Sequence, residues 1–274
     1  MKGLFPKNQK TIISVICIFI SVALFAVIFF RLAQYRKENE TIRQTRDLIA
    51  SYTILKEDLP KATGNEGAEE ASSGTTKGKV PEREDMIDID ALKEQNPDLQ
   101  CIIRIPETEI DYPVVKSKEY PEKYLTTDFF GKSSSYGCIF VDASTNLWDN
   151  NYITFGHHMR NGMMYGNLKK YADKDYRDAH KEVKLICPGA VEYYEVIGYF
   201  TAVPGEDKIE SRLLLETRED YDRVTDLAKK NGYLLQDLKP GDRCVTLITC
   251  EYSRENSRSI VIAINRERRA FNGL

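Results

Sequence analysis

The sequence predicts a mainly β domain, a barrel or sandwich of eight short strands with helical insertions, preceded by an N-terminal transmembrane helix. Three observations predict it: an uncharged apolar run near the N-terminus, a polar small-residue stretch behind it, and then short apolar runs closely punctuated by Pro, Gly, Asn and Asp.

Residues 11–30 (TIISVICIFISVALFAVIFF) carry no charge, with Lys7 and Lys10 before them and Arg31 after. As a helix the run covers about 30 Å, enough to cross a bilayer core. It ends in Val27-Ile-Phe-Phe30 rather than in a small-x-small site, so residues 11–31 read as an uncleaved anchor and not as a signal peptide. Lys2, Lys7 and Lys10 are matched by Arg31, Arg36, Lys37 and Arg43, so charge gives no orientation. Residues 31–55 read as a helical stalk. Residues 61–79 (KATGNEGAEEASSGTTKGK) have almost nothing to bury and read as a flexible tether. Together 32–80 form stalk and linker, and 81–274 form one folded domain, about two hundred residues and long enough for a sizeable core. Lys plus Arg number 39 against 42 Asp plus Glu, a net charge of -3, which lacks the basic bias of a general nucleic-acid binder.

The domain opens near residues 87–92 (IDIDAL), read as a short helix capped by an Asp. Strands are expected at 101–105, 112–115, 137–141, 152–155, 182–186, 191–200, 243–249 and 259–264. Helical insertions are expected at 164–171 and 218–231, the second with Tyr221, Val224, Leu227 and Ala228 on one face. There is no internal repeat and no phosphate-binding Gly loop.

The chemistry concentrates near the C-terminus. If the strands ending at Cys250 and opening at Arg258 pair antiparallel, the loop 251–257 sets those two residues across from each other and on one face. A cation beside a thiol favours the thiolate, and a fixed guanidinium can hold the oxyanion formed when that thiol attacks a carbonyl. Cys244, of the same parity but deeper in its strand, reads as a packed hydrophobe. Of three histidines, His157 and His158 directly follow a strand and Gly156, while His180 lies in a charged, exposed stretch. A Cys paired with a distant His is a common nucleophile and acid/base couple. Parity alone leaves His157 and His158 both open.

These residues resemble a known family. Thr246-Leu-Ile-Thr-Cys250 is similar to the sortase signature TLxTC, with Arg258 opening the next strand. Phe155-Gly-His157-His-Met-Arg-Asn-Gly-Met-Met-Tyr-Gly-Asn-Leu168 resembles the class B segment around the catalytic His. Asn96-Pro-Asp98, Ile103-Arg-Ile-Pro106, Ile110-Asp-Tyr-Pro-Val-Val115 and Gly137-Cys-Ile-Phe140 extend the likeness over about residues 85–266.

The resemblance implies an eight-stranded sortase-type β-barrel, with the helix at 218–231 as a class B feature. It implies a cysteine transpeptidase with Cys250 as nucleophile, His157 as acid/base and Arg258 as oxyanion partner, and with Ile248, Thr249 and Glu251 at the substrate. Ile248 stands where many class B members have Ser, and the spacing from Cys250 to Arg258 is short by some class B standards; both bear on substrate fit. The implied partners are secreted proteins with a C-terminal sorting signal, cleaved after Thr, and an amine acceptor from peptidoglycan, lipid II or a pilin. Residues 1–10 would be cytoplasmic and the domain extracytoplasmic, on a Gram-positive cell. No metal or cofactor is called for, and the pairing of Cys101, Cys138, Cys187 and Cys244 stays open. Two other classes stay open: a papain-like hydrolase, whose Cys usually begins a helix near the mature N-terminus, and a non-catalytic surface binding module in which Cys250 is merely packed.

Overall fold

The computed structural model describes residues 7–54, 81–205, 213–250 and 256–271. The chain divides into two compact units, residues 1–44 and 45–274. Helix α1, Lys7–Ser51, runs through the first and into the second. Its apolar part is a candidate membrane span, with Phe19, Phe25, Phe29 and Phe30 all strongly exposed, the arrangement expected of side chains made for lipid. The tether expected at 61–79 lies outside the described residues.

The second unit is a mainly β domain. Its strands are β1 (Leu99–Arg104), β2 (Asp111–Val115), β3 (Ile139–Val141), β4 (Asn151–Phe155), β5 (Glu182–Cys187), β6 (Ala190–Ala202), β7 (Gly232–Leu234), β8 (Cys244–Cys250) and β9 (Arg258–Ala270). They lie in the order β5-β1-β2-β3-β4-β8-β9-β6-β7, and β5 also pairs with β6. That second pairing closes an eight-stranded barrel and leaves β7 outside it. The long β6 makes this possible: its first half pairs with β5 (Glu195 opposite Glu182), and its second half pairs with β7 (Tyr199 opposite Tyr233). Each of the eight expected strands has its counterpart in the barrel. The ninth, β7, is too short to read from sequence.

β4 and β8 sit mid-sheet, are buried nearly end to end and pair in parallel. Their near-continuous apolar runs are the pattern of strands covered on both faces. On one face, Ile248, Ile260, Ile262 and Ile264 form a core with Leu213 and Leu215 and with the helix that follows them. A second core gathers Ile49, Ile87, Leu92, Leu99, Tyr124 and Phe140, and Phe155 packs against both.

The short helix α2, Ile89–Leu92, is capped by Asp88, whose side chain accepts from Ala91 N. The helix expected at 164–171 is displaced: a 3-10 turn covers Leu168–Ala172 and α3 covers Lys174–Ala179. Gly162 at φ +84° and Met164 at φ +53° break the helical path in the region where it was expected to begin. The next helix, α4, covers Arg218–Asn231 as expected, with Tyr221, Val224, Leu227 and Ala228 buried at helical spacing. Each of the larger of these side chains contributes about 1.5–3 kcal/mol by leaving water.

A reciprocal cap starts α4: Thr217 Oγ1 accepts from Asp220 N, while Asp220 accepts from Thr217 N at 2.7 Å. That backbone donor, first among several, holds the Asp220 carboxyl down at about 2. A lowered carboxylate stabilises the fold above its unfolded range and ceases to do so as pH falls through its folded value. Asp220→Ala is therefore expected to cost about 1 kcal/mol in urea denaturation at neutral pH, with the gap to the wild type narrowing as pH falls from about 4 toward about 2. A gap that stays constant over that window would remove the cap from the account.

Candidate active site

Three strand ends converge to build the site. In the parallel β4–β8 pair Phe155 lies opposite Ile248, so positions 153, 155 and 157 share a face with 246, 248 and 250. Backbone and side-chain bonds carry this register past the end of β4: Gly156 N donates to Ile248 O at 3.1 Å, and Thr249 Oγ1 donates to Gly156 O at 2.7 Å. In the antiparallel β8–β9 pair Cys250 lies opposite Arg258. His157, Cys250 and Arg258 consequently line one cavity of about 360 Å³, whose apolar wall includes Leu125, Phe155 and Ile248. Glu122, Asp142 and Pro204 also border it. The volume falls within the small-ligand range of about 300–1,000 Å³.

Register decides between the two adjacent histidines. His157 has the parity of Cys250 and lines the cavity; His158 is not among the lining residues. His158 instead donates from Nδ1 to the Cys250 carbonyl at 2.6 Å, clamping the backbone that carries the thiol. His157 Nε2 lies 2.7 Å from Leu125 O. A carbonyl only accepts, so Nε2 carries the hydrogen and Nδ1 is the ring's acceptor nitrogen. Gly156 has no room for a side chain: a Cβ there would lie 2.4 Å from Ile139 Cδ1 and 2.9 Å from the Tyr165 ring. His180, expected in an exposed stretch, is half-buried with its ring 4.3 Å from that of Tyr176.

Of the residues assigned to substrate from sequence, Ile248 is in the cavity wall. Thr249 is 2 % exposed, outside that wall, and braces Gly156. Glu251 lies outside the described residues. Arg258 is half-buried and its guanidinium donates to Asn256 O and Ser257 O, each at 3.2 Å, which steadies the cation at the mouth of the strand pair. The motifs gave no signal for Leu125, whose contribution is a main-chain oxygen, or for the clamp from His158.

Among the described residues all six cysteines are free, and no group of three or more His, Cys, Asp or Glu is gathered to hold a metal ion. Cys101, Cys138, Cys187 and Cys244 are buried, whereas Cys250 is half-exposed. Burial pushes the Cys138 and Cys244 thiols well up, and contact with Cys101 together with burial does the same to Cys187.

A closed eight-stranded barrel with a reachable thiol, an imidazole and a guanidinium in one cleft defines a cysteine acyl-transfer enzyme. The chain belongs to the sortase family, the cysteine transpeptidases: the Sortase domain model matches residues 103–265. Within that family its likeness is to class B. Sortase B of Listeria monocytogenes is 28 % identical over 198 residues, covering 70 % of this chain and 77 % of the relative. The X-ray structure of Clostridium perfringens sortase B is 32 % identical with a TM-score of 0.59, covering 65 % of this chain and 99 % of that one. A Staphylococcus aureus sortase B-substrate complex is 26 % identical with a TM-score of 0.58, covering 65 % and 84 %.

Brief treatment of the native protein with a small thiol reagent at neutral pH, followed by peptide mapping, should modify Cys250 while Cys101, Cys138, Cys187 and Cys244 stay protected until denaturant is added. Equal labelling of the buried four would contradict the packing described.

Proposed function

We propose that this class B sortase cleaves a sorting signal after Thr, with Cys250 as nucleophile, His157 as acid/base and Arg258 as oxyanion partner. The observation that carries the reading is the meeting of two strand registers, which brings all three side chains to one cavity. In the first step the Cys250 thiol proton passes to His157, Sγ as thiolate bonds to the Thr carbonyl carbon, and the developing oxyanion is met by the Arg258 guanidinium. The amide C–N bond breaks and the departing amine takes a proton from His157. In the second step an amine acceptor attacks the thioester, its surplus proton passes to His157, and Sγ leaves as thiolate. The product is a new amide, and the enzyme returns to its starting state.

Ile248 contributes to the wall that receives the peptide, and Glu251 is placed next to the thiol by sequence alone. Thr249 acts through Gly156 and so through the position of His157. A cell-wall amine of peptidoglycan, lipid II or a pilin fits an enzyme anchored through residues 11–31 with its domain outside the cell. Family membership removes the papain-like and non-catalytic readings.

The test is mass spectrometry of the enzyme with a peptide carrying an NPxTx- or xPxTG-like motif. A thioester adduct on Cys250, removable by hydroxylamine, should form, and a Gly-based or diaminopimelate-containing amine should divert it from hydrolysis to transfer. Cys250→Ala should abolish turnover with the fold intact. His157→Ala and Arg258→Ala should each lower the rate by about 10²–10³-fold. His158→Ala should cost about tenfold, the worth of one backbone clamp, and Arg254→Ala, which the sequence puts within the loop 251–257 rather than at the start of the next strand, less than Arg258→Ala. Turnover by Cys250→Ala, or losses at His158 and Arg254 equal to those at His157 and Arg258, would overturn the assignment.

Location is tested separately. Protease added to intact cells should strip the domain from the anchor; a domain protected until the cells are lysed would place it inside and sink the cell-wall function.

A further inference from the structure

The segment Asn96-Pro97-Asp98 takes no part in the chemistry above, yet it grips the residue beside the His157 acceptor. Asn96, 6 % exposed, donates from Nδ2 to Tyr124 Oη at 3.1 Å and to Phe129 O at 2.9 Å. Its Oδ1 accepts from Asp98 N at 2.9 Å, which locks the turn. Tyr124 Oη lies 2.8 Å from Asp98 Oδ2 and 3.2 Å from Asn96 Oδ1, so its single proton goes to the nearer, charged acceptor. Burial, first among the causes, raises the Tyr124 hydroxyl above its ordinary range, so it stays a donor.

The main chain at Tyr124 and Leu125 is held as closely as the side chain. Tyr124 O accepts from Cys138 N at 2.9 Å. Gly137, at φ +58°, packs so tightly there that a Cβ would lie 2.2 Å from Tyr124 O and 2.9 Å from Leu125 O. The next oxygen along the chain, Leu125 O, accepts from His157 Nε2. An unbroken path thus runs from the Asn96 amide and the Asp98 carboxylate, through the Tyr124 phenol and one peptide, to the imidazole. A backbone carbonyl here takes the orienting place that a carboxylate or amide side chain takes in many His-assisted sites.

We propose that Tyr124, held by Asn96 and Asp98, is a positioning residue for His157: it fixes the Leu125 carbonyl that keeps His157 in the Nε2–H tautomer, with Nδ1 toward proton transfer. This rests on the role given to His157 under Proposed function. A loop brace without that role would change stability alone.

The two are separated by reading the tautomer directly. Three histidines make the long-range ¹H–¹⁵N spectrum of the ¹⁵N-His-labelled full chain in detergent micelles simple to assign, with His157→Ala identifying one set of signals. The wild type should show Nε2–H at His157. Tyr124→Phe, which keeps the buried ring, and Asp98→Ala should each mix the tautomers. Each should also lower kcat about fivefold to tenfold, the worth of about one hydrogen bond, with KM within about twofold and the His157 limb of the pH–rate profile displaced. Asp98→Asn, which retains an acceptor, should restore the wild-type signals and most of the rate. Wild-type signals and pH profile in both Tyr124→Phe and Asp98→Ala would overturn the proposal, as would a rate loss that follows only the melting temperature. Should Tyr124→Phe fail to fold, the Asp98 pair, at a partly exposed position, decides alone. A wild type that turns over peptide without a thioester on Cys250 would instead overturn the reading of the site, while the tautomer signals still report whether Tyr124 orients His157.

Discussion

The parallel register of β4 against β8 is the constraint on which the site depends. Phe155 opposite Ile248 gives residue 157, rather than 158, the parity of Cys250 and a place in the cavity it lines. A slip of one residue would turn His157 away and present His158, because side chains alternate across a strand. The register has support outside the ladder: Thr246 Oγ1 donates to Asn151 Oδ1 at 2.8 Å at one end, and Thr249 Oγ1 donates to Gly156 O at the other. Both threonines belong to the motif that ends in Cys250, so two of its residues serve the alignment of the strand that carries the thiol.

The same economy holds for the two histidines. One presents its ring to the cavity, and the other secures the carbonyl of Cys250 from the opposite parity. The tightness of Gly156 against Ile139 and Tyr165 makes the turn possible that carries both. Arg258, at the first position of β9, is held by its pairing with Cys250 and by two carbonyls of the preceding turn.

Much of this was legible in the residues. The eight barrel strands were marked by apolar runs and their breakers, and α4 by a helical stripe with no breaker inside it. The pairing of Cys250 with Arg258 followed from a short loop between two strands. Local pattern failed where the decisive contact is distant or belongs to the main chain. The choice of His157 depends on a partner strand about ninety residues away, and its acceptor is a carbonyl, which leaves no trace in residue type. The helix expected at 164–171 is displaced because Met164 adopts a left-handed conformation that residue type does not register. β7 escaped notice because three residues are too few to show alternation.

Leu213 and Ile248 belong both to the core beneath α4 and to the wall of the cavity. Reshaping the pocket at either position also disturbs the packing of a helix, and a buried aliphatic truncation costs about 2–5 kcal/mol. Glu122, Asp142 and Pro204 border the same cavity outside that core. Re-engineering of what the cavity accepts is therefore better begun at the border, at Glu122 and Pro204, than at the floor, where each change of shape is also a change in the core.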